Sequence, residues 1–137
     1  MDYANIFYTL AQVIHNFGAI AVVGGAMAMN FLPSLAKNIS RKLSWLVLIG
    51  WALQAVSGAG FGAISYVYHG KFPDISSIAQ SALLIKILCT MIGITLSSSY
   101  LYFFTSITVR KGQLVWKWLM AFSVIALTSA AFLRWFS

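Results

Sequence analysis

Residues 43–68 read LSWLVLIGWALQAVSGAGFGAISYVY, a run of chain without a single charged side chain. A helix needs ~20 predominantly apolar residues to cross the hydrocarbon core of a bilayer, and this run is longer than that. Three further apolar runs cover residues 5–31, 77–105 and 114–135. Backbone N–H and C=O groups need hydrogen-bond partners in lipid, so each run is expected to form a transmembrane helix. The sequence therefore predicts an all-α integral membrane protein.

The segments between the apolar runs are short and polar. They cover residues 33–42, 69–76 and 108–113. Connections of this length favour antiparallel neighbours, which gives a bundle that runs up, down, up and down through the membrane. We therefore expect residues 1–137 to form a single transmembrane domain, an antiparallel four-helix bundle.

The composition places this chain in lipid. Of its 137 residues, 61% are hydrophobic and 8% are charged, and the mean hydropathy is +0.86. Soluble domains are about 25% charged, so the lipid bilayer is the expected partner. The net charge of +7 comes from basic residues clustered at the ends of the apolar runs, and no nucleic-acid partner is expected. The lone cysteine, Cys89, excludes an internal disulfide and a cysteine-based zinc site.

Basic residues are distributed unevenly between the two sides of the predicted bundle. The first and third connections carry most of them: Lys37, Arg41, Lys42, Arg110 and Lys111. The opposite side has both acidic residues of the chain and fewer basic ones: Asp2, His69, Lys71, Asp74 and Arg134. Cytoplasmic loops carry the excess of Lys and Arg, so the first and third connections are expected in the cytoplasm. Both termini are then expected on the outer, periplasmic side of a bacterial-type inner membrane.

Two ionisable side chains lie deep within the apolar runs, His15 in the first and Lys86 in the third. A charge at the bilayer centre costs ~2.5–3.5 kcal/mol on insertion scales, so such residues indicate a functional site. At a rise of ~1.5 Å per residue, both lie ~12–15 Å below the outer ends of their helices. Gln54 reaches a similar level, whereas His69 and Arg134 are expected at the outer mouth. We therefore predict one pocket between three helices.

Haem b suits this pocket, because neutral imidazole is a common axial ligand of haem iron. We predict His15 as an iron ligand, with Lys86 as a second ligand or as a partner for an anionic group or a quinone carbonyl. Gly18, Gly25 and Gly93 would let a flat ring approach the helix backbones, and the basic residues at the mouth would pair with its propionates. Two alternatives stay open: these small residues serve helix packing, and His15 makes only an interhelical hydrogen bond.

Copper is the competing metal. Soft or borderline ligands suited to Cu(I) lie in the apolar runs: Met27, Met29, Met91, Met120, Cys89 and His15. Met27 and Met29 are expected near the cytoplasmic end, well below His15, and scattered methionines usually fill gaps in a core. A hydrolase is not expected, because the sequence has no Ser-His-Asp, paired-carboxylate or phosphate-loop arrangement.

Three segments carry a family resemblance: VIHNFGAIAVVGG at 13–25, QAVSGAG at 54–60 and SALLIKIL at 81–88. In these features the chain resembles small four-helix membrane proteins that include the copper-resistance-protein-D domain and the HemJ-type protoporphyrinogen oxidases. The resemblance implies that His15 and Lys86 form the essential pair and that haem b is bound. The chain departs from the family at Ser34, where an Arg is usual, and at 111–113, where an Asn-Glu-x-Pro stretch is missing. The haem pocket is therefore better supported than the oxidase activity.

Three functions follow from these observations. The first is a b-type haem protein, cytochrome b-like, in electron transfer or in porphyrinogen or quinol redox chemistry, which would make it a membrane oxidoreductase if it is an enzyme. The second is copper transport or copper handling. The third is a non-catalytic membrane anchor subunit of a larger complex. The small-residue faces are also compatible with a homodimer.

Overall fold

The computed structural model describes residues 3–32, 37–72 and 74–136. They form four helices, α1 (Tyr3–Phe31), α2 (Lys37–His69), α3 (Ser77–Tyr102) and α4 (Val109–Phe136), with no strand in these ranges. All four are long and apolar enough to cross a membrane. The predicted all-α, four-helix membrane protein is confirmed. Asp2 and Ser34, which entered the predictions of orientation and family, lie outside the described residues.

Helix ends differ from the ends of the apolar runs. Helix α2 begins at Lys37 and α4 at Val109, ahead of the runs that start at 43 and 114, whereas α3 ends at Tyr102, before 105. Lys and Arg are good helix formers, so a helix continues past its apolar run into basic residues. At the start of α3, the Ser76 hydroxyl accepts a hydrogen bond from the backbone N–H of Ala79 and caps the helix.

The helices form a closed ring in chain order. Helix α1 packs most extensively on α2, and α3 on α4, while the contacts of α2 with α3 and of α1 with α4 are smaller. Contacts between helix ends show the antiparallel arrangement. The Ser76 hydroxyl donates to the carbonyl of Phe136 at 2.6 Å, and the Asn30 amide donates to the carbonyl of Trp116 at 2.9 Å. The start of α3 thus meets the end of α4, and the end of α1 meets the beginning of α4.

Small residues point inward on α1 and α3. Gly18, Val22 and Gly25 are buried on α1, and Thr90, Gly93, Ser97 and Tyr100 are buried on α3. These are the faces that the sequence predicts. Gly58 and Gly62 of α2 have the GxxxG spacing that often brings two membrane helices together. Among the described residues, no atom would meet a Cβ on Gly58, and only the Phe72 ring would meet one on Gly62, so this pair makes no close helix contact here.

The inward face of α4 is rotated from the face that helical spacing in the sequence predicts, which consists of Met120, Ser123, Leu127, Ala130 and Arg134. The buried residues are Gly112, Trp116, Leu119, Ser123, Ala126 and Ser129. Of the predicted face only Ser123 is fully buried, and Leu127 is 51% exposed. Trp116, predicted in an interfacial aromatic belt, is 2% exposed and packs edge-on against Tyr100 with ring centroids 5.2 Å apart. Lipid-facing and core-facing positions of α4 are equally apolar, so hydropathy does not separate them.

Candidate functional site

His15 and Lys86 meet in the interior of the bundle. The Lys86 ammonium nitrogen Nζ lies 2.8 Å from Nε2 of the His15 ring. The other ring nitrogen, Nδ1, lies 2.6 Å from the hydroxyl oxygen of Ser57. The three side chains come from α3, α1 and α2, and α1 and α3 are not neighbours in the ring of helices. The long lysine side chain therefore spans the bundle, and one imidazole connects three helices.

Hydrogen-bond directions fix the tautomer of His15. The Ser57 hydroxyl has one proton, and it donates that proton to the backbone carbonyl of Leu53. Its oxygen then accepts from Nδ1, so Nδ1 carries the ring proton. Nε2 is left with its lone pair and accepts from Lys86. The network is satisfied by a neutral imidazole whose Nε2 lone pair points at an amine.

Three further residues contact the backbone or the ring of the pair. The Gln54 side-chain amide donates to the backbone carbonyl of His15, and Gln54 is buried. The ring of Phe61 lies edge-on to the imidazole with centroids 5.6 Å apart. On α3, the Thr90 hydroxyl bonds the carbonyl of Lys86 at 2.9 Å. Gln54 thus lies at the predicted level but touches the backbone of His15 instead of its ring.

The three predicted cofactor glycines are helix-packing positions. A Cβ on Gly18 would lie 3.1 Å from both the Gln54 amide nitrogen and the Gly50 carbonyl oxygen. A Cβ on Gly25 would overlap the Val47 side chain, and one on Gly93 would overlap the indole of Trp51. Side chains and backbone of α2 fill all three spaces. Helix packing, the alternative, explains these glycines, and their role as a slot for a flat ring stays a prediction.

His69 and Arg134 lie away from the pair. Both are exposed, His69 at the end of α2 and Arg134 in the last turn of α4. His69 follows Ser57 by twelve residues, which corresponds to about 18 Å along the helix axis. The structure brings together His15, Lys86 and Gln54 among the predicted site residues, and leaves His69 at the bundle end.

The candidate copper ligands do not converge. Met27 is 44% exposed and Met91 is 61% exposed, so both face away from the core. Cys89 is buried, one turn of α3 from Lys86. Within the described residues, no three His, Cys, Asp or Glu side chains gather in a way that holds a metal ion. The soft ligands are dispersed along the bundle.

The nitrogen donors at His15 would suit haem iron. A ligating histidine usually binds through one ring nitrogen and donates its other N–H to a fixed acceptor, here the Ser57 hydroxyl. Nε2 carries the lone pair that coordination requires, and the Lys86 nitrogen beside it would be a second donor once it is deprotonated. Because these nitrogens are at hydrogen-bond distance, Lys86 must withdraw for Nε2 to bind anything else. The nitrogen donors of His15 and Lys86 would therefore suit haem iron, and this conclusion does not depend on Gly18, Gly25 or Gly93.

Comparisons with known proteins add no relative. No protein-family model, curated protein or solved structure matches this chain. The site is therefore interpreted from its own geometry.

Sequence reasoning missed the roles of two residues. Ser57 and Phe61 follow Gln54 at helical spacing on α2, so the sequence places them on the inward face but assigns them no contact. Their proximity to His15 depends on how α1 crosses α2. The sequence does contain a signal for Ser57. It follows Gln54 by three residues, so it lies on the same face of α2, near the predicted depth of His15.

Proposed function

We propose that this chain is a b-type haem protein of the membrane, with His15 as the principal iron ligand. The observation that supports it is the Nε2 lone pair of a neutral imidazole, oriented by Ser57 and facing Lys86 inside the bundle. Haem would supply one-electron redox chemistry at this level of the bilayer. His15 and Lys86 are the residues that would hold it.

Lys86 has a second task in this proposal. Its ammonium group is a three-proton donor on a flexible stem, so it can move from Nε2 to an oxygen of a bound molecule. A quinone carbonyl and a porphyrin carboxylate are both suitable acceptors. Since the pair lies within the membrane span, the partner molecule would be membrane-soluble, a quinol or a porphyrinogen.

An optical spectrum tests the haem assignment. Protein purified from haem-replete cells should be red, with a Soret band that is lost in His15→Ala and retained in the matched control His69→Ala. His69 is the only other histidine and lies at the end of α2. A colourless wild-type preparation overturns the proposal. Copper found in such a preparation by elemental analysis supports the copper alternative, and absence of both metals supports an anchor subunit.

The proposed location is a bacterial-type inner membrane with both termini on the periplasmic side. The basic residues at the α1–α2 and α3–α4 ends support this orientation, because the first and third connections hold most of them. The outer mouth is then the end at which α2 ends and α3 begins. His15 and Lys86 lie below that mouth, closer to the periplasmic face.

A further inference from the structure

A basic groove lies at the end of the bundle opposite Asp74. Its volume is about 480 Å³, and its walls include Lys37, Arg41, Lys42 and Trp45 of α2 and Phe104 after α3. Three cationic side chains thus line one concave surface. The Lys37 ammonium lies 5.9 Å from the centroid of the Phe104 ring, a cation–π distance. The groove combines positive charge with aromatic walls.

No carboxylate can neutralise this groove. The chain has two acidic residues, Asp2 and Asp74. Asp2 lies outside the described residues, and Asp74 lies just before α3, at the other end of the antiparallel bundle. Among the residues that the structure describes, the three cations therefore have no acidic partner. An anion from outside the chain is the complementary ligand.

The depth of the groove in the membrane indicates which kind of anion it binds. It lies where the apolar run of α2 begins, which is the depth of lipid headgroups, and Trp45 is an aromatic side chain of the kind found at that depth. Below it, α2 exposes Leu46 and Ile49 to the surroundings, 46% and 51% exposed. A phosphate in the groove could thus continue into acyl chains along α2. We propose that this groove is a binding site for the headgroup of an anionic phospholipid.

Native mass spectrometry of the detergent-solubilised protein tests the site. With phosphatidylglycerol added, we expect a one-lipid adduct in the wild type and at least a tenfold lower adduct fraction in the triple variant K37Q/R41Q/K42Q. The matched control R110Q/K111Q/K117Q removes the same charge from α4 near the same end, outside the groove walls, and should keep the adduct. Equal loss in both triple variants overturns the proposal, because it indicates a general charge effect.

A second test uses the wild-type protein alone and therefore does not depend on how the variants fold. Phosphatidylcholine has the same phosphate without net charge and should give a far weaker adduct. Millimolar inorganic phosphate should not displace phosphatidylglycerol, because it lacks the acyl chains that lie along α2. Displacement by phosphate assigns the groove to a free anion, and equal adducts with both lipids show no headgroup selectivity. Either result overturns the phospholipid assignment.

Discussion

His15 is the residue on which the proposed site depends. Its ring is fixed from two sides, by Ser57 through Nδ1 and by Lys86 through Nε2. Its backbone carbonyl is held by Gln54. Ser57 and Gln54 belong to α2 and Lys86 belongs to α3, so the imidazole of α1 has all of its contacts only when the three helices are assembled. Two substitutions separate what these contacts do.

Ser57→Ala removes the acceptor of the Nδ1 proton. The ring then loses its fixed orientation, and we expect the affinity for haem to fall by ~10–100-fold, as for other partners of metal-ligating histidines. Titration of haem into the purified variant measures this change. Ser65→Ala is the matched control, because Ser65 is also buried on α2 but bonds the carbonyl of Lys71. Unchanged haem affinity in Ser57→Ala contradicts the role assigned to Ser57.

Lys86→Met tests whether the lysine serves function or stability. The substitution removes a charge that costs ~2.5–3.5 kcal/mol at bilayer depth, and it leaves the Nε2 acceptor without a partner, which costs about 1–3 kcal/mol. We therefore expect a melting temperature no lower than that of the wild type, together with loss or alteration of the haem spectrum. Lys117→Met, at an exposed position of α4, should change neither. A large drop in the melting temperature with an intact spectrum identifies Lys86 as a structural residue.

The glycines of this bundle differ in how closely a neighbouring helix packs on them. Gly93 lies under the rigid indole of Trp51, while Gly58 has open space around it. The same glycine-to-alanine change therefore has opposite expected effects at the two positions.

Gly93→Ala should destabilise the protein by about 1–3 kcal/mol, because the added methyl group overpacks against Trp51. Gly58→Ala should be neutral or stabilising by up to ~1 kcal/mol, since alanine is the better helix former. Denaturation in mixed micelles measures both, and the fluorescence of Trp51 should change only in the first variant. Equal stability of the two variants contradicts the contact at Gly93.

The sequence predicts the four helices well, and it predicts the inward faces of α1 and α3 better than that of α4. Four apolar runs define four spans, because lipid demands long helices with satisfied backbones. On α1 and α3, small and polar residues mark the inward faces, and the convergence of His15 with Lys86 follows from their depth. On α4, apolar residues surround the helix, so the burial of Trp116 and the exposure of Leu127 were not predictable. The sequence does not decide the role of Gly18, Gly25 and Gly93, because helix contacts and a bound flat ring both need small residues.

The whole molecule has a charge asymmetry, and the orientation proposed above depends on it. Every described acidic residue lies at the end where α3 begins, and three cations line the groove at the other end. Orientation and the proposed lipid site therefore rest on the same uneven distribution of charge.

Thiol labelling tests this orientation. Cys89 is first replaced by Ala, because it is the only native cysteine. In spheroplasts, a membrane-impermeant maleimide should label Lys71→Cys, after α2, and should not label Ser106→Cys, in the turn after α3. After the membrane is permeabilised, both should be labelled, since both positions are exposed. The reverse pattern places the termini in the cytoplasm.

The span of Lys86 across the bundle has a consequence for biogenesis. Helices α1 and α2 pack extensively on one another, as do α3 and α4, with smaller contacts between the two pairs. Within the first pair, His15 already has Ser57 and Gln54 as partners. Lys86 belongs to the second pair and reaches the imidazole only when the pairs dock. An α3–α4 hairpin that has not yet docked thus carries a lysine at bilayer depth with no imidazole partner, and docking on the N-terminal hairpin supplies that partner.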